Sequence, residues 1–198
     1  MTKKLPEKYL PIWDKASSIL KKGRPGDYEH SLEVMDLLIN YKGDIKINLD
    51  VLIPVAIMHD IGHSGILPEY FKYVTGPEKL INGKLVHMLV GAKIATDILE
   101  EVKYPKLQSK EIINIIAVHD ADQLQGISLE KWYDTENKKA FHDLDSMDRY
   151  TETRLNSVIS MYPSREKALS ILEKSLDSFF YDEFKQLARK RFESLIKG

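Results

Sequence analysis

Cysteine is absent from all 198 residues, which removes disulfide staples, thiolate zinc sites and cysteine nucleophiles together. Any metal must therefore be held by nitrogen and oxygen. Long apolar runs are missing too: the longest, Val51 to Met58, is interrupted by Pro54 and falls far short of the roughly 20 residues that a spanning helix needs. Neither sign of charge is in excess. Twenty-nine Lys and Arg face 30 Asp and Glu, a formal charge of −1, so no global field draws in nucleic acid or an acidic membrane surface. The first residues, MTKKLPEKYLPIW, carry a lysine pair with no apolar stretch behind it, so no secretory signal is expected and the cytoplasm is the expected location. What is present, 43% hydrophobic and 30% charged residues, is the composition of a folded globular chain rather than a disordered or fibrous one.

Repeats, low-complexity tracts and long Ser/Gly linkers are also lacking, and the length suits one domain over 1–198. Gly and Pro divide it into helix-sized pieces. Glu7 to Lys22 has apolar residues at Leu10, Trp13, Ala16 and Leu20, a helical spacing that stops at the Gly23–Gly26 GRPG stretch. Asp27 is placed to cap a second helix carrying Leu32, Val34, Met35, Leu38 and Ile39, with His30 in its first turn. A third helix, capped by Asn48 or Asp50 and running through Asp60, is apolar nearly all round and must be buried. Its Pro54 is tolerable if it falls in the first turn, so the helix is expected to start near Asp50.

The stretch Gly62 to Pro77, rich in Gly and Pro, reads as a loop over a pocket, in which Tyr70, Phe71 and Tyr73 either stack on a nucleobase or simply pack. From about Pro77 the helical period resumes through Leu85, Leu89, Ile94 and Ile98, with His87 and Gly91 one turn apart. Ser109 is the expected cap of a helix from about Lys110 to Asp120, ending in His119 and Asp120. Long helical patterns over about Lys138 to Met161 and Ser164 to Lys197 complete an all-α chain of about seven or eight helices. The last helix reads as core cover or as a dimer face, so a homodimer is one expectation.

His59 and Asp60 set the chemistry. An imidazole and a carboxylate side by side at the end of the most buried helix cannot be left without partners, since burying both costs several kcal/mol. A cation serves both, but neighbours on a helix point in different directions, so further ligands must come from other elements. His30, His87 and His119 each sit in an apolar helical context that aims them inward, and Asp143, Asp145 and Asp148 supply late carboxylates. His142 reads as a solvent-facing residue in a charged segment.

His30, the dyad His59-Asp60 with Ile61-Gly62, His87 with Gly91, His119, and a late Asp followed by Arg together resemble the HD-domain phosphohydrolase superfamily over about Asp27 to Arg154. The resemblance implies an α-helical bundle, with a core of about 27–160 and a C-terminal helical extension of about 163–197. It implies hydrolysis of a phosphoester or phosphoanhydride in a small phosphorylated molecule, a nucleotide being the expected class. It places His30, His59, Asp60 and Asp148 on one ion and His87 with His119 on a second, Asp60 bridging. One or two ions per chain are expected, Fe, Mn, Zn or Co by ligand type, with Mg or Ni as further candidates. Two such ions, about 3.5–4 Å apart, activate a water and clamp phosphoryl oxygens.

Some features depart from the family pattern. Met147 precedes Asp148 where a small residue is usual, and Asp145, one turn away, stays open as the last ligand. Gly62-His63 stands where the cyclic-dinucleotide branch has Gly-Lys, the later Gly-Tyr-Pro is missing, and so is the Glu-Asp pair of guanosine tetraphosphate hydrolases. His63 either donates a proton to a leaving oxygen, which would make it catalytic beside Asp60, or ends the dyad helix. Asp120 and Asp122 either orient an imidazole or are loop carboxylates. Lys84, Arg149 and Arg154 are candidates for holding substrate phosphates, Arg154 equally for pairing with a carboxylate inside the fold. A silent metal- or nucleotide-binding regulatory module and a di-iron oxygenase on the same fold are the rival readings. Neither a nucleic-acid nor a membrane partner is expected.

Overall fold

The computed structural model describes residues 5–65, 79–124, 129–162 and 164–197, and every regular element among them is helical. Tyr70, Phe71 and Tyr73, with most of the expected loop over the pocket, lie outside the described residues. The chain divides into two compact units, 1–141 and 142–198.

The first unit opens with a 3-10 turn, Glu7–Tyr9, that runs into α1, Leu10–Leu20. Its buried stripe is Tyr9, Ile12, Ala16 and Leu20, one position round from the expected face; Trp13 is half-buried and meets the Tyr28 ring at 5.4 Å. Helix α2, Asp27–Asn40, is capped by Gly26 and not by Asp27 as expected. Gly26 takes a left-handed φ of 95° that a side chain would disfavour, while the Asp27 carboxylate turns inward and is buried on Arg24.

Helix α3, Leu49–Met58, has Asn48 as its cap, the side chain accepting from the Asp50 N–H. Every residue from Val51 to Met58 is buried, as an all-round apolar helix requires. Pro54 is the sixth residue of α3, beyond the first turn where it was expected. Its missing N–H deprives the Asp50 carbonyl of its helical donor, and the Tyr104 hydroxyl takes that place at 2.8 Å. Helices α1 and α2 pack on α3 from within this unit.

Helix α4, Lys79–Glu101, buries His87, Met88, Gly91, Ala92, Ala95, Ile98 and Leu99, whereas Leu85 and Leu89 of the expected face are exposed. Helix α5 runs Lys106–Ile116, four residues earlier at each end than expected, with Pro105 at the cap position. Ser109 is no cap: it lies inside the first turn and its hydroxyl donates to the Pro105 carbonyl at 3.1 Å. The extended backbone of Pro105 starts the helix instead. Helix α5 packs on both α3 and α4. After it come the turn carrying His119 and Asp120, a 3-10 turn at Ala121–Gln123, the short α6, Leu129–Trp132, and the start of α7, Glu136–Ser146.

Each of the two long helical patterns is broken once. A 3-10 turn at Met147–Tyr150 and extended Thr151 separate α7 from α8, Glu152–Met161, Thr151 capping α8 by accepting from the Arg154 N–H. Helix α9, Arg165–Ser175, ends in the 3-10 turn Leu176–Ser178, and α10, Asp182–Lys197, follows. The break before α10 is tied by the buried Asp143 carboxylate, which accepts the N–H groups of Phe180 at 3.0 Å and Tyr181 at 2.8 Å. His142 is also buried, at 2% exposure, and not solvent-facing as its charged neighbours suggested. Its Nδ1 lies 3.0 Å from Asp143, which gives that nitrogen a partner away from water.

Candidate metal centre

Helix α3 ends in His59, whose N–H still donates to Val55 at 2.8 Å, and delivers Asp60 at the turn that follows. The His59 Nδ1 lies 3.2 Å from the Ala56 carbonyl. A carbonyl only accepts, so Nδ1 carries a proton, and Nε2 faces Asp60 Oδ2 at 3.6 Å. His119 repeats the device at the end of α5: Nδ1 donates to the Ile116 carbonyl at 2.8 Å, leaving Nε2 3.6 Å from Asp60 Oδ1. The Tyr133 hydroxyl fixes the same turn by donating to the His119 carbonyl at 2.8 Å.

Asp60 is the hub. Its Oδ1 lies 3.5 Å from His63 Nε2, 3.6 Å from His119 Nε2 and 3.8 Å from His87 Nε2, while Oδ2 faces His59 and accepts from Arg24 at 3.0 Å. The Nε2 atoms of His87 and His119 are 3.2 Å apart, the His63 and His87 rings stack at 4.2 Å, and the His30 ring meets His59 edge-on at 5.0 Å. Ligand atoms fall into three groups, each within 4.8 Å: His30, His59 and Asp60; Asp60, His63 and His87; His87, His119 and Asp120. Asp60 and His87 belong to two groups each, so the groups join into one centre.

Glycine makes the close approach possible. A Cβ on Gly62 would stand 1.9 Å from the His87 carbonyl oxygen and 2.5 Å from the Gly91 nitrogen, so the turn after the dyad lies directly on the α4 backbone. A Cβ on Gly91 would meet Ile116, Gly62 and His59 at 3.3–3.4 Å.

The electrostatics favour a cation. Burial pushes Asp60 up, but His59, His119 and His63 outweigh it and hold the carboxyl well below its usual range. His87 is pushed down to about 3, by burial first and then by His119 and His63, and is a neutral donor at pH 7. Asp27, 1% exposed, is pushed up by burial and by Asp60, against Arg24. Imidazoles converging on a carboxylate fit a divalent ion of the Fe, Mn, Zn or Co type.

The other predicted residues are placed as follows. Lys84 pairs with Asp120 at 2.6 Å, and Asp120 also accepts from Gln123 at 2.6 Å while its Oδ2 stands 3.6 Å from His87 Nε2. Asp122 meets the Tyr133 hydroxyl at 3.4 Å. In the second unit, Asp148 and Arg149 share the 3-10 turn, Asp145 is half-buried in α7, and Arg154 pairs with Asp148 at 3.1 Å. Sequence reasoning passed over Arg24, which bridges Asp27 and Asp60; a charged side chain framed by Gly and Pro six residues before His30 was the available signal.

No helix among the described residues is long and apolar enough to cross a membrane. No curated protein and no solved structure gave a significant match. The family model described as HD domain matches residues 27–153, a span that contains every histidine of the centre and about two thirds of the 198 residues, and the chain belongs to the HD-domain family.

Proposed function

We propose that the protein is a metal-dependent phosphohydrolase, cleaving a phosphoester or phosphoanhydride in a small phosphorylated molecule, with nucleotides as the first class to test. The observation that carries this reading is the Asp60 hub, one carboxylate reached from both oxygens by His59, His63, His87 and His119. His30, His59 and Asp60 would hold one ion, and His87 with His119 a second, Asp120 standing close enough to join them. When bound, such ions lower the pKa of a water and neutralise phosphoryl oxygens.

The chain's own residues supply the rest. The carbonyls of Ala56 and Ile116 keep His59 and His119 in the tautomer that presents Nε2 to the centre. His63, 14% exposed against 0–1% for His59, His87 and His119, is the imidazole best placed to exchange protons with a leaving oxygen. Lys84, whose side chain is 31% exposed, brings a positive charge to the Asp120 side of the centre.

The test is metal content by elemental analysis on protein purified without chelator or affinity nickel, followed by a screen of phosphomonoesters, dinucleotides and nucleoside triphosphates. The expected result is at least one ion per chain and metal-dependent release of phosphate or nucleoside. His59→Ala should lose both metal and turnover with helicity retained; full activity in that variant would overturn the reading. Saturable nucleotide binding without product, or oxygen uptake with iron bound, would replace it with the regulatory or the oxygenase alternative.

A further inference from the structure

We infer that Arg24 is a substrate-binding residue, a guanidinium fixed at the edge of the centre to take a phosphoryl oxygen; this rests on the phosphohydrolase reading. Arg24 sits in the turn between α1 and α2, held on either side by backbone bonds from Gly23 to Leu20 at 3.0 Å and from Asp27 to Arg24 at 3.2 Å. The left-handed Gly26 then turns the chain into α2, which carries His30. The guanidinium is therefore delivered by the same segment as a candidate ligand.

One part of the fork is committed and another is not. Nε and Nη2 both contact Asp27 Oδ1, at 2.8 and 2.7 Å, and Nη2 also reaches Asp60 Oδ2 at 3.0 Å. Nη1, with two donors, has no protein partner among the described residues, and the side chain is 40% exposed while Asp27 and Asp60 are 2% and 7% exposed. A cation serving only to neutralise two buried carboxylates has no need of solvent-facing donors. Here one carboxylate, Asp27, anchors the guanidinium plane, and the donors left over stand one guanidinium width from the hub carboxylate. The Nη1 donors are charge-assisted and held in a fixed plane, which suits a phosphate oxygen, and a lysine ammonium on its flexible stem is not fixed in that way.

The test uses the full chain loaded with manganese, comparing wild type, Arg24→Gln and Arg24→Lys. Metal per chain is measured by elemental analysis, inorganic phosphate affinity by calorimetry, and KM and kcat on whichever substrate the screen identifies. The expected result is unchanged metal content in both variants, phosphate affinity lower by about tenfold or more in Arg24→Gln, partial recovery in Arg24→Lys, and a rise in KM that tracks the affinity. Phosphate affinity within about twofold of wild type in Arg24→Gln at equal metal content would overturn the assignment alone. Loss of metal from both variants would make Arg24 a support for Asp60 and overturn it as well. Wild-type protein that loads no metal, or loads it and binds no phosphate, would overturn the functional reading and this inference with it.

Discussion

Gly62 rests on the backbone of His87: a β-carbon at Gly62 would come within 1.9 Å of the His87 carbonyl oxygen, with the Gly91 nitrogen at 2.5 Å. Both obstacles are main-chain atoms of α4, which cannot swing aside as a side chain tip can. Gly62→Ala must therefore part the dyad turn from α4 and draw His87 away from Asp60. A loss of about 1–3 kcal/mol in urea unfolding is expected, together with lower metal content. Gly91→Ala, where the contacts would be 3.3–3.4 Å, should be milder. Equal stability of Gly62→Ala and wild type would refute the close approach.

Tyr104 and Pro54 form a second coupled pair, through the Asp50 carbonyl. Tyr104→Phe should cost about 0.5–1.5 kcal/mol, because it removes the donor that replaces the absent proline N–H. Pro54→Ala restores a helical donor to the same oxygen, so Tyr104→Phe should cost less in that background. A double-mutant cycle in urea checks this, and strict additivity would argue against the pairing.

Periodicity made the helical class and the burial of α3 legible, because an unbroken apolar surface from Val51 to Met58 has only the interior to go to. The clustered histidines were legible because charged or polar groups at the ends of such helices need partners. Arg24 was not, since its role comes from Asp60, 36 residues away, and leaves no period in the sequence. The breaks at Thr151 and before α10 were hidden for a related reason. Local spacing continues through them, while the bonds that fix the second come from Asp143, nearly 40 residues earlier. His142 was misread because its flanking charges are exposed-looking in composition, whereas Asp143 takes it inward.

Acid should weaken the metal-free protein in a defined window. His87 has a folded pKa of about 3 against an ordinary 6.5, so between these values the unfolded chain binds a proton that the folded chain refuses. Stability is full above about pH 6.5 for this group and is lost as pH falls toward 3. Asp60 acts in the same direction lower down: its carboxyl is held well below 3.8, so its contribution is present above that value and disappears beneath it. Urea midpoints of chelated protein should fall from pH 7 to pH 5, and His87→Leu should flatten the slope. An unchanged slope in that variant would remove His87 as the cause.

Asp143 is a buried carboxylate with a structural task. Its oxygens accept from Phe180 and Tyr181 in the break that starts α10, and from His142 in its own helix. Asp143→Ala would take this acceptor from the part-buried N–H groups of Phe180 and Tyr181, at a cost of about 1–3 kcal/mol. Asp143→Asn keeps one accepting oxygen and should lose less. Amide hydrogen exchange at Phe180 and Tyr181 should accelerate in both variants, more in the alanine, because the two N–H groups open without unfolding the rest. Unchanged protection of those two amides would show that the break is held by packing of Phe184 and its neighbours on α10 and not by the carboxylate.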